Sequence, residues 1–593
     1  MFRGFRWQLA ALLLAAGLFV ISLLLRENQQ IETPPDPTPE TSVATQEIID
    51  IPATSTPAPT SDAPAEIATY REALVGEVRR LNPVLAGSNP VDEDITSLIF
   101  EGLTRTNGYG EPVPALAERW IISSDGLEYI VFLRQDILWQ DGIPFTAEDV
   151  LYTMSILRDP EFPGPADLGA FWRTVETEKL GDFIVRFRLT QPLGTFLDKL
   201  RIGILPEHAL RGTRAAQIDD HPFNVTPIGT GPYQLEAFGG TDTIERVDLR
   251  VAPVYRQRQE GRENAFAIER LSFHLFDTFD DALVALQNGE VDGLAGRDAE
   301  QRNQLFLTAN NGDMDMHNQI ENTLGVLIFN WENSPYFREV RVRSALASGL
   351  NRNSLVERAL PNLAVLANSP LMPGSWAYLP DLDWADYNPD AARQLLAQAL
   401  ERIDRGEEAE AETTDETLPE ATEDAAPTTY FAFSILTPDN PALVGLAQEI
   451  ATQWSQLNLS VTVNAVEVST YQAMLESGDF DVALVEYALG DSADPDVYNF
   501  WHQGQYPNGA NYGGADDRRI SELLERARRD PYGINRVAEY REFQRAFAER
   551  VIALPMYYPL FTYVTAARVD GVQLGFIGSP SDRFRNIGEW SVG

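Results

Sequence analysis

The sequence predicts an α/β fold with a parallel sheet, and three observations point there. Between residues 430 and 496 the apolar period switches back and forth between two and 3.6. Asp-Gly turn signals at Asp125-Gly126 and Asp141-Gly142 punctuate an earlier strand-and-helix stretch. With 593 residues, 44% of them apolar, the chain can bury more than one core.

In chain order, residues 7–25 are uncharged and apolar, and 19 residues at about 1.5 Å each span about 28 Å, the thickness of a bilayer core. Arg3 and Arg6 precede the stretch while acids dominate beyond it, so residues 1–26 read as an anchor with the remainder outside the cytoplasm. A cleaved signal peptide is the competing reading, but no small-x-small cleavage site follows closely. Residues 27–69 hold eight acids, eight prolines and no Lys or Arg, too polar to offset the entropy of ordering, and read as a tether.

Residues 129–134 (YIVFLR) follow the first turn signal and read as a strand. After the second turn signal, Thr146 with Asp149 three positions on resembles a capping box, and a helix is expected to about Leu157. A second acidic segment, 401–429, carries eleven acids against two arginines and reads as a solvated insertion loop after a helix.

Residues 431–436 then form a strand candidate. Leu443, Ala447, Ile450, Trp454 and Leu457 make one apolar helix face, and 461–468 is a second strand. Ser469 or Thr470 can cap a short helix ending at Gly478, and 480–487 (FDVALVEY) is a third strand. Such a β-α-β-α-β unit builds a parallel sheet with right-handed crossovers. Ligands of open parallel sheets collect beyond the carboxyl ends of the strands, so the loop 488–496 (ALGDSADPD) is the expected site. Asp494 and Asp496 fit turn caps, and the aspartate spacing does not match a calcium loop. Asp491 reads as a carboxylate aimed at a cationic ligand group, with Gly490 allowing close main-chain approach. Trp376, Tyr378 and Trp501 are candidate pocket walls, against the plainer reading of core aromatics. Downstream, Ile520, Leu523, Leu524 and Ala527, then Val537, Tyr540, Phe543 and Phe547, mark two further helix faces.

Composition excludes several functions. A net charge of −42 argues against nucleic acid, and two lysines outside any Gly-rich loop argue against nucleotide hydrolysis. With no cysteine and five scattered histidines (His208, His221, His274, His317, His502), no metal site or cofactor is expected. Gly490-Asp491-Ser492 is superficially similar to an esterase nucleophile segment, but His502 lacks the spacing of a paired base, so no enzyme is expected.

Read together, these residues resemble the extracytoplasmic solute-binding proteins of ABC importers, in the class that includes dipeptide- and oligopeptide-binding proteins. The resemblance rests on Leu81-Asn82-Pro83, Ile99-Phe100-Glu101-Gly102-Leu103, the run from Pro114 to Trp120, Phe145-Thr146-Ala147-Glu148-Asp149-Val150, Gly229-Thr230-Gly231-Pro232-Tyr233 and Phe329-Asn330. It implies a two-lobed clamp of mixed sheets flanked by helices, with 70–310 plus a C-terminal return, 556–593, in the first lobe and 311–555, including the 401–429 insertion, in the second. Two chain crossings would form the hinge. The segment from Gly490 to Pro495 matches the family's gly-asp-x-x-asp-pro, which makes Asp491 the holder of a peptide α-amine, with Leu489 and Gly490 pairing to the peptide main chain. Where the family often has Trp, this chain has Ala488, with Tyr487 beside it. The implied partners are a peptide or other small solute, permease and ATPase subunits, and the membrane through the N-terminal helix. A sensor or surface module of the same fold, or a binder of oligosaccharide or metal chelate, is the alternative.

Overall fold

The computed structural model describes residues 67–258, 265–405, 430–490, 492–530 and 534–593. The expected anchor at 7–25, the tether as far as residue 66, residues 406–429 of the acidic insertion and Asp491 lie outside the described residues. Among the described residues, no helix is long and apolar enough to cross a membrane.

The β-α-β-α-β unit forms as its periodicity predicts. Strand Ala432–Pro438 leads into helix Pro441–Ser455, whose start is held by the Asn440 side chain accepting from the Ala442 and Leu443 amides, with Pro441 preset for the first turn. Its buried face carries Leu443, Ala447, Ile450 and Trp454, and the Trp454 indole donates to the Leu346 carbonyl at 2.9 Å. Strands Ser460–Val466 and Val482–Ala488 both run parallel to Ala432–Pro438. The connecting helix Val468–Ser477 ends at Gly478, whose φ of 72° is the left-handed value that glycine accepts without strain.

Two local expectations need correction. The helix after the second strand starts at Val468 with Glu467 as its N-cap and no side-chain cap bond, because the strand already ends at Val466; the Ser469 hydroxyl bonds the Glu467 carboxylate instead. The acidic segment is not loop from residue 401: helix Pro389–Asp404 runs on, since Leu400 and Ile403 continue its apolar face against the core.

The parallel unit is one edge of a 12-stranded mixed sheet. Strand Thr323–Phe329 pairs antiparallel with Val482–Ala488 and, on its other side, with the long strand Leu554–Ala566. That strand, 13 residues in length, pairs through its first residues with Thr323–Phe329 and through its later ones with Met314–Ile320 and Gly293–Gly296. Two large hydrophobic cores lie on either side of this join, and a smaller third cluster includes Ala73, Leu294 and Val564. One gathers residues from Tyr70 to Phe273 and, after a long gap, Phe561 to Trp590; the other runs from Leu324 to Tyr558 and also takes in Phe576. The chain therefore builds two lobes, and along Leu554–Ala566 the core changes from one to the other between Tyr558 and Phe561.

In the first lobe, the expected strand appears as Glu128–Leu133 in a four-stranded antiparallel sheet, and helix Ala147–Arg158 carries the predicted capping box of Thr146 and Asp149. The C-terminal return is pinned there by Arg583, which reaches Glu72 at 2.9 Å and Asp94 at 2.8 Å with all three side chains at most 2% exposed.

Candidate functional site

The carboxyl end of strand Val482–Ala488 opens into the expected loop, and three segments meet there. The Leu489 amide donates to the Asn322 carbonyl at 2.9 Å. In return the buried Asn322 side-chain amide donates to the Gly490 carbonyl at 2.6 Å and to the Ser492 carbonyl at 3.1 Å. Gly490 is exposed with φ of 108°, a backbone value that favours glycine even though a Cβ there would meet nothing within 4 Å. The Ala493 amide then donates to Gly110 of the first lobe at 2.9 Å. A Cβ on Gly110 would lie 2.5 Å from that of Ala493, so only glycine permits this approach.

Asp494 and Asp496 are turn caps, each accepting from the backbone amide two residues on, and each is also ion-paired. Arg536 makes two 2.7 Å bonds to the Asp494 carboxylate, and Arg528 one of 2.7 Å to Asp496. Burial pushes the Asp494 carboxyl up, opposed by the charge and hydrogen bonds of Arg536. Facing them from the first lobe, Asp198 is held up to about 7, first by burial and then by the charge of Asp494; a hydrogen bond from Ser492 and the charges of Arg201 and Lys199 act in the opposite direction. Its Oδ1 is buried without a hydrogen-bond partner among the described residues. The loop is thus a seam: a carboxylate-rich turn of one lobe set against a buried carboxylate of the other.

The other predicted residues lie around this loop in different settings. Leu489 is buried at the strand end. Tyr487 is 3% exposed, its hydroxyl donating to the Ala510 carbonyl and its ring lying 4.4 Å from Phe500 and 5.5 Å from Trp501. Trp501, also 3% exposed, packs 4.8 Å from Phe547, and its indole N–H has no partner among the described residues. These two aromatics belong to the second core beneath the loop. Trp376 is half-buried, 5.8 Å from Tyr540 and with the Arg536 guanidinium over its ring, while Tyr378 is half-buried beyond it. Asp491 lies outside the described residues.

Both ring nitrogens of His502 are engaged, Nε2 with Glu525 at 3.1 Å and Nδ1 with the Gly504 amide at 3.0 Å, so it serves no serine as a base. Among the described residues no cluster of His, Asp or Glu could hold a metal ion. Asn322, Gly110, Asp198 and Arg536 were not predicted. Each lies far along the chain from the loop, and the only local signal is that all four are residue types suited to turns or charge pairing.

The chain is similar to known proteins in sequence and in fold. The sequence profile of bacterial extracellular solute-binding proteins, family 5 Middle, matches residues 111–509. The oligopeptide-binding protein AppA of Bacillus subtilis is 24% identical over 531 residues, covering 87% of this chain and 90% of its own. Its structure in complex with a nonapeptide superposes with a TM-score of 0.62 at 23% identity, covering 88% of this chain and 99% of that one. NikZ of Campylobacter jejuni in complex with Ni(L-His) gives a TM-score of 0.63 at 25% identity over the same shares of the two chains.

Proposed function

The chain belongs to the family 5 bacterial extracellular solute-binding proteins, and from that premise we propose that it is the substrate-binding component of an ABC importer that holds a peptide-like solute between its lobes. As a member of a solute-binding family it is a binding protein and not an enzyme. The single observation that supports the site is the seam itself: the turn after strand Val482–Ala488 meets Gly110 and Asp198 of the opposite lobe, where a solute would bridge the two. Asp491 is the proposed partner of the cargo's amine, and Leu489 and Gly490 the proposed main-chain contacts. Tyr487 and Trp501 support the turn from below, with Trp376 at its flank.

In this reading the lobes divide near residues 310 and 555, and the chain crosses between them at 320–323 and in the middle of Leu554–Ala566, which together act as the hinge. Periplasmic binding proteins are themselves a standing example of such closure. Cargo favours the closed form only if it binds that form more tightly. The loaded form docks on permease and ATPase subunits, and residues 7–25 tether the chain to the membrane. Membrane fractionation of the full chain against one lacking those residues tests the tether.

Cargo is tested by mass spectrometry of small molecules released on denaturing protein purified from its own host. Peptides are expected. A nickel chelate, the cargo favoured by the likeness to NikZ, would replace that reading. For a peptide with a free amine, Asp491→Ala is expected to cost about 2–5 kcal/mol of affinity by calorimetry. Unchanged affinity would remove Asp491 from the site.

A further inference from the structure

Strand Thr323–Phe329 is bracketed by asparagines, and the two do different work. At its far end Asn330, 2% exposed, donates through Nδ2 to the Gly478 and Phe480 carbonyls at 2.9 and 3.0 Å. Asn333 donates to the same two carbonyls, and all of these groups lie within the second lobe. At the near end Asn322, 4% exposed, makes the matching pair of bonds to Gly490 and Ser492, but its own backbone stands in the crossing between the lobes. Its amide donates to the Ile577 carbonyl of the C-terminal return at 3.0 Å. One residue earlier, the Glu321 amide donates to the Pro559 carbonyl at 2.9 Å, in the second crossing, and the Glu321 carboxylate pairs with Arg302 of helix Ala299–Asn311 at 2.5 Å.

We propose that Asn322 is a positioning residue that fastens Leu489, Gly490 and Ser492 to the hinge, so that these residues and the angle between the lobes move together. The argument is geometric. Four hydrogen bonds of one buried residue join three separate segments: the crossing, the turn and the C-terminal return. A buried amide that loses its partners leaves carbonyls unsatisfied, so the turn cannot shift relative to the crossing without breaking the set. Asn330, with its bonds duplicated by Asn333 and all internal to one lobe, has the same chemistry without that connection. It is the built-in control.

The coupling to cargo rests on the peptide reading above, whereas the fastening does not, and the experiment separates them. Hydrogen exchange by mass spectrometry on the unliganded full chain compares Asn322→Ala, which removes the donors, the near-isosteric Asn322→Asp, which sets a carboxyl oxygen against the same two carbonyls, and Asn330→Ala. Both Asn322 variants are expected to speed exchange about tenfold or more in peptides covering 486–490 and, at the same time, in those covering 320–323 and 575–579. Asn330→Ala is expected to leave those peptides unchanged. Faster exchange confined to 486–490 would overturn the proposal, as would acceleration in all three segments with Asn330→Ala. With a cargo peptide identified by mass spectrometry, stopped-flow measurements on the Asn322 variants are expected to show dissociation about 10- to 100-fold faster and association little changed. Ligand-induced compaction, measured by small-angle X-ray scattering, is expected to be smaller in these variants than in wild type. Wild-type dissociation and compaction in those variants would also overturn it. If wild-type protein releases no peptide, the cargo reading fails, and the exchange pattern still decides the fastening.

Discussion

Two buried charge clusters, one inside the first lobe and one at the seam, are built from the same residue types and are balanced differently. Inside the lobe, Arg583 meets Glu72 and Asp94, and Arg297 adds a second cation 3.3 Å from Asp94. Tyr70 and Tyr563 donate to the remaining Glu72 oxygen at 2.6 and 2.8 Å. Two cations thus face two carboxylates with hydrogen bonds filling the gaps, the arrangement in which interior attraction can offset desolvation. At the seam, Arg536 is committed to Asp494 by two bonds, and Asp198 stands behind with one oxygen unpartnered among the described residues. A satisfied cluster suits a part that stays closed. One left short of a partner suits a surface that must come apart and meet something else.

That contrast can be broken or sharpened by substitution. The largest effect is expected from Arg583→Met, which leaves buried Glu72 with no cation and Asp94 with Arg297 alone, and should destabilise the protein by about 3–5 kcal/mol in denaturant titration. A loss under 1 kcal/mol would mean the cluster is not the lock it resembles. Arg536→Met strands only one carboxylate, next to a seam that opens in the proposed reading, so a loss nearer 3 kcal/mol is expected, recovered in large part by adding Asp494→Asn. Equal losses for the two arginines would erase the distinction between the clusters.

The smallest effect is a slope with pH. The Asp198 carboxyl is held up to about 7 in the folded chain, against about 3.9 for a free aspartate, so between those values the folded state binds a proton that the unfolded state does not. Stability from this group is therefore lost as pH rises through that window, and Asp198→Asn should flatten the loss. Thermal midpoints from pH 5 to 8 check it, and an unaltered slope would place the titration elsewhere.

Much of the second lobe was legible because its signals are local. The helix face of Leu443, Ala447, Ile450 and Trp454 follows from a period of 3.6, and the stop at Gly478 from backbone freedom at a single residue. The capping box at Thr146 is likewise decided within four residues. Errors fell at boundaries, where packing rather than pattern ends an element, as at Val466 and Asp404.

The sequence alone determined the class of fold, the turn where a ligand is expected and the family resemblance, since each depends on residues near one another in the chain. Tertiary structure alone decided which distant groups complete that turn. Asn322 bonds a carbonyl 168 residues away, and Gly110, Asp198 and Arg536 arrive from three further segments. No local period encodes such meetings, because they are set by how one long strand, Leu554–Ala566, holds two lobes in a common sheet.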